Sequence, residues 1–158
     1  MKAATLHQIK KELETSSPQR VMDLILKLIK YKSENKELIS YLLFDQDDLS
    51  TYIADLREEV STMLGDVEKL LPYMVKRTLR KTLRFITKFS KYTGSKEVEA
   101  ELLVHFCKII KEKGIVRYSN KMISGIYYKQ LEKIEKLILS LHEELQFDYT
   151  EALRKLKY

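Results

Sequence analysis

The sequence predicts an all-α fold of seven or eight helices, and three observations predict it. Apolar residues recur three or four positions apart along nearly the whole chain, as one buried face of a helix requires. Only four Gly and two Pro occur in 158 residues, too few for the many tight turns of an all-β fold. Gly65, Gly94 and Gly114 each follow an apolar-periodic run, where a left-handed residue would end a helix.

The elements follow in order. A short helix is expected near Thr5–Glu14. Ser16 or Ser17 caps the next, with Pro18 in its first turn, where a missing N–H costs nothing; it runs to about Tyr31. Ser33 caps a helix through Phe44. Asp45 or Asp47 caps another that ends at Gly65. Three longer helices are expected near Tyr73–Tyr92, Lys96–Lys113 and Ser119–Leu145, and a tail helix near Tyr149–Lys157. Ile115, after Gly114, is the apolar residue expected to fold back in a Schellman stop. Gly125 marks a kink in the long helix or its true start. The short connections imply antiparallel neighbours.

Two stretches echo each other. "LILKLIKYKSENKELISYLL" begins at Leu24 and "FITKFSKYTGSKEVEAELL" at Phe85. With one gap, Ile25, Lys27, Lys30, Tyr31, Lys36, Glu37, Leu42 and Leu43 match Ile86, Lys88, Lys91, Tyr92, Lys96, Glu97, Leu102 and Leu103. Each copy reads as a helix, a tight turn and a second helix. The expected organisation is a single all-helical domain, 1–158, with an internal repeat over 18–64 and 75–145. In architecture this pattern resembles the HEAT/armadillo class, with no signature motif behind the likeness. That resemblance implies antiparallel hairpins stacked as a short right-handed α-α superhelix. A fold of this kind does not imply a function.

Charge is concentrated. The net charge is +6, but residues 1–68 carry nine Lys/Arg against thirteen Asp/Glu, and residues 97–158 carry eleven against ten. Residues 69–96 carry nine Lys/Arg and no acid, while Asp45–Glu68 just before them holds eight acids and only Arg57 as a cation. Within "KRTLRKTLRFITKFSKY", Lys76–Tyr92, a helical wheel puts Val75, Leu79, Leu83, Ile86 and Phe89 on one side, with Phe85 at its edge. Lys76, Arg77, Arg80, Lys81, Arg84, Lys88 and Lys91 fall on the other. Solvated helix faces ordinarily interleave Glu and Lys at i,i+4; here Lys76–Arg80, Arg77–Lys81, Arg80–Arg84 and Arg84–Lys88 are like-charged and mutually repulsive. In the echo, Lys81, Lys88 and Lys91 have the basic counterparts Arg20, Lys27 and Lys30, whereas Lys76, Arg77, Arg80 and Arg84 align with Thr15, Ser16, Gln19 and Asp23. The second copy has gained four cations, three of them Arg.

Two readings of this face compete. In one, the acids of the preceding helix, Asp48, Asp55, Glu58 and Glu59, neutralise it. Those acids lie opposite Leu49, Ile53, Leu56, Val60 and Leu64, so two helices packed through their apolar faces would point their charges apart. In the other, the face receives an anionic partner: an acidic protein surface, or nucleic-acid phosphates bound without regard to sequence.

Other chemistry finds little support. His7, His105 and His142 lack metal-ligand spacing, and no Gly-rich phosphate loop occurs. Cys107 shares a helical side with Leu103 and Ile110, which predicts a core thiol, and its solitude predicts a reducing compartment. His105 lies one turn after Glu101, which predicts a surface ion pair. Glu58–Glu59 and Glu143–Glu144 read as solvated faces, and Tyr127–Tyr128 as packing residues. Some HEAT-like proteins excise damaged bases with aromatic clamps; a chain without Trp offers no counterpart. The opening "MKAATLHQIKKELE" has no apolar core like that of a secretory leader, and no apolar run exceeds four residues. The expectation is a non-enzymatic, cytoplasmic interaction protein with no cofactor, no metal, no evident small-molecule substrate and no membrane insertion.

Overall fold

The computed structural model describes residues 2–117 and 121–157. They form eight α-helices and no strand. The chain divides into two compact units, Met1–Gln46 and Asp47–Tyr158.

The first unit holds α1 (Leu6–Glu14), α2 (Pro18–Tyr31) and α3 (Ser33–Ser40). Thr5 opens α1 with a capping box: its side chain accepts from the Gln8 N–H while the Gln8 side chain accepts from the Thr5 N–H. Ser17 caps α2 and Pro18 takes its first position. The turn into α3 is one residue long. Lys32 is extended there, so Ser33 is the first helical residue and not the expected cap. Asn35 Nδ2 donates to the Leu28 carbonyl at 2.7 Å and ties the two helices together. No residue of α1, α2 or α3 is buried, and Val21, Ile25 and Ile29 form the half-buried ridge of α2.

The chain leaves α3 through a π-helical turn, Tyr41–Asp45, in which the Gln46 N–H reaches the Tyr41 carbonyl at 3.0 Å. That wider turn keeps Asp45 helical and moves the next cap past Asp47. Asp48 does the work instead, its carboxylate accepting from the Thr51 N–H at 3.1 Å and the Thr51 hydroxyl at 2.7 Å.

The second unit holds α4 (Leu49–Met63), α5 (Pro72–Thr93), α6 (Lys96–Glu112), α7 (Lys121–Ile138) and α8 (Glu143–Lys157). Helix α6 is central and packs against α4, α5, α7 and α8. It buries Val98, Leu102, Leu103, Phe106, Cys107 and Ile110. Around them close Leu56, Val60 and Leu64, then Val75, Leu79 and Ile86, then Ile123, Tyr127, Leu131 and Ile134, and finally Leu153 and Leu156. Burial of this contiguous apolar set is the main favourable contribution to the unit's stability.

Gly94 and Gly114 are left-handed, with φ of 65° and 68°, and Ile115 is buried beyond the second, as the stop pattern requires. Gly65 differs: it is not left-handed. A Cβ there would stand 3.2 Å from the Thr62 carbonyl oxygen, so close backbone approach, not handedness, favours glycine. The long helix expected over Ser119–Leu145 is two helices. Its expected start at Ser119 lies outside the described residues, and Gly125 lies inside α7. The break comes at 139–142, where the Ser140 and Leu141 N–H groups take i−3 partners and Ser140 Oγ donates to the Leu137 carbonyl at 2.7 Å. The chain then turns so that α8 packs on α7 and α6.

Both halves of the sequence echo are helical hairpins: α2–α3, turning at Lys32, and α5–α6, turning at Gly94 and Ser95.

Candidate anion-binding face

Helix α5 buries Val75, Leu79, Thr82, Ile86 and Ser90. Leu83, Phe85 and Phe89 are half-buried and pack at the core's margin. The remaining arc carries the cations. Arg77, Arg80, Lys81, Arg84 and Lys91 are exposed, and Lys76 and Lys88 are half-buried. Lys76 Nζ lies 4.0 Å from Met122 Sδ, and Lys88 Nζ stands 4.7 Å from the centre of the Phe89 ring.

Among the described residues, no carboxylate pairs with Arg77, Arg80, Lys81, Arg84 or Lys91. Asp55, Glu58 and Glu59 of α4 are exposed. Asp48 is engaged at its own helix start, where the Thr51 and Ser50 hydrogen bonds hold its carboxyl below the usual range. Arg57 turns to Glu101 of α6 at 3.0 Å.

The wheel placed Phe85 at an edge but did not reveal what it borders. Lys81, Phe85, Lys88 and Tyr92 follow one another at spacings of four, three and four, so cation and ring alternate along one ridge. Phe85 and Phe89 rings stand 4.5 Å apart, and Phe89 meets Tyr92 edge-on at 5.4 Å. A shallow depression of about 270 Å³ opens beside the ridge, lined by Lys81, Arg84, Phe85 and Lys88 with Met63 from α4.

A larger groove of about 580 Å³, not anticipated from sequence, lies along α6 and α8, with Arg57 from α4. Glu101 does not pair with His105 there. It receives Arg57 at 3.0 Å and the Tyr149 hydroxyl at 3.1 Å. His105 Nε2 instead lies 2.8 Å from Ser61 Oγ and 3.2 Å from the Arg57 carbonyl oxygen. Ser61 Oγ also reaches that same carbonyl as a donor at 2.9 Å, and the imidazole tautomer sets which of His105 and Ser61 donates to the other. Burial first, and the Arg57 charge second, hold His105 below its ordinary pKa.

Cys107 is wholly buried, and burial pushes its thiol far above the ordinary range. Tyr127 is buried and Tyr128 exposed. Among the described residues, no three His, Cys, Asp or Glu converge as a metal site, and no helix is long and apolar enough to cross a membrane. No family model, curated protein or solved structure matches this chain.

Proposed function

We propose that this chain is a non-enzymatic interaction protein of the HEAT/armadillo-like helical-repeat kind, which binds an anionic partner through the basic face of α5. The observation that carries the proposal is a run of exposed cations, Arg77, Arg80, Lys81, Arg84 and Lys91, with no carboxylate partner among the described residues. Unpaired like charges at i,i+4 destabilise a helix, so local stability does not account for them. Arginine forks suit planar oxyanions, and an acidic protein surface is the leading partner.

Nucleic acid is the second reading, and the exposed Lys81 and Arg84, which line one depression with Phe85, favour it, since such cations suit a phosphate backbone. One double variant tests the proposal. Arg80→Glu with Arg84→Glu is expected to abolish binding of an anionic probe while the helical circular dichroism signal stays intact. Two probes separate the readings: a labelled poly-glutamate peptide and a labelled mixed-sequence oligonucleotide. Oligonucleotide binding that falls steeply with salt supports nucleic acid. Unchanged binding of whichever probe the parent chain takes, or no binding of either at low salt, removes the proposal.

A further inference from the structure

The first unit leaves apolar surface uncovered, and its charge pattern specifies an occupant. On α2, Val21, Leu24, Leu28 and Tyr31 follow the a, d, a, d spacing of a coiled-coil seam. Leu28 is 58% exposed and Tyr31 77%. The seam continues at Val21 into a groove of about 510 Å³ lined by Leu6, Ile9 and Leu13 of α1. These residues alternate at three and four positions on both helices, so the open surface is ridged for another helix.

One flank of the α2 seam is cationic, while Lys10 and Glu14 both line the groove at its end. In the same register Arg20 and Lys27 occupy the two g positions, and both are exposed. Two copies of α2 packed seam to seam and antiparallel would bring Arg20 toward Lys27. Like charges meet there, so the pattern disfavours antiparallel self-association. A helix with carboxylates beside its apolar seam meets no such conflict.

Leu102 and Leu103 of α6 are fully buried in a unit where α7 packs on both α5 and α6. Their sequence counterparts Leu42 and Leu43 are 39% and 66% exposed.

We infer that the α1–α2 surface is a docking site for an amphipathic helix of another protein, one bearing acidic residues at the positions flanking its apolar seam. This inference is independent of the reading of α5.

The test uses the full chain and two labelled three-heptad peptides, both with Leu at a and d, one with Glu and one with Lys at e and g. Fluorescence anisotropy should show the Glu peptide binding at least about tenfold more tightly than the Lys peptide. Leu28→Asp should weaken the Glu peptide by about tenfold or more. Arg20→Glu with Lys27→Glu should invert the preference, a readout that does not depend on Leu28→Asp folding. Binding of the Glu peptide should persist when Arg80 and Arg84 are changed to Glu. Its loss there would assign the peptide to α5 and overturn the inference. Equal binding of both peptides, or binding of neither, would also overturn it. So would a dimer of the chain, or its adsorption to phosphatidylserine vesicles, that Leu28→Asp abolishes, since the seam would then serve a second copy or a lipid surface.

Discussion

The Tyr127 hydroxyl donates to the Leu156 carbonyl at 2.8 Å, a buried bond that ties the middle of α7 to the last turn of α8. Carbonyls at a helix end have no partner within the helix, and this bond supplies one. Lys111 Nζ reaches the same oxygen only at 3.4 Å and spends its better bond, 2.6 Å, on the Lys155 carbonyl. Tyr127→Phe keeps the ring and removes the donor. The expected loss is about 1 kcal/mol of unfolding free energy. Urea titration checks it, and hydrogen exchange should show the last turn of α8 opening first.

Ser90 presents the opposite case. It is buried on the core side of α5, and its Oγ has no hydrogen-bond partner among the described residues. In the echo it aligns with Ile29, an apolar residue. Ser90→Ala removes the uncompensated hydroxyl and substitutes a better helix former, so the variant should gain about 0.5–1 kcal/mol. A melting temperature that falls instead would mean that the hydroxyl has a partner in solution.

His105 makes stability depend on pH. Burial, with Arg57 and Lys108 nearby, lowers its folded pKa below 6.5, while Glu101 acts in the opposite direction. The unfolded chain therefore binds the proton more readily. Stability is fully present well above the unfolded pKa of about 6.5 and declines as pH falls from there toward the folded pKa. His105→Gln should flatten the melting-temperature profile between about pH 7 and pH 5. The carboxyls held below their usual range, Asp48, Asp66, Glu68 and Glu151, act in a more acidic window and leave this interval unaffected. A variant whose profile keeps the parent slope over that interval would assign the slope to other groups.

Local chemistry made much of the helical order legible. Ser17 followed by Pro18 marks a start, and Gly94 followed by Ser95 marks a stop and the next cap, because each acts within one turn. The same locality explains the misses. A π-helical turn at Tyr41–Asp45 has no residue signature, yet it shifts the cap to Asp48. The break before α8 contains neither Gly nor Pro and is made by backbone bonds around Ser140. The cations of α5 were legible because seven of them share one arc of a single helix. The Arg57–Glu101–Tyr149 cluster was not, since its partners lie 44 and 48 positions apart and only packing brings them together.

Arg80 offers the sharpest test of why α5 is basic. It stands one turn from Lys76 on one side and Arg84 on the other, with Arg77 at i−3. A glutamate at this exposed position would face cations in all three directions. Each opposite-charge pair is worth about 0.2–0.5 kcal/mol, and each like-charge pair costs a similar amount. The single change Arg80→Glu should therefore raise the melting temperature, most clearly at low salt, where screening is weakest. If the face exists to bind an anion, the same change should weaken that binding. Stability and function would then pull in opposite directions at one residue, as expected where a site is retained against local stability. The alternative is that the acids of α4 neutralise the face in solution. A new glutamate would then meet Asp55, Glu58 or Glu59, and the melting temperature would drop. Measuring melting and probe binding on this one variant at two salt concentrations decides between them: higher melting with weaker binding supports the anion-binding face, and lower melting with unchanged binding removes it.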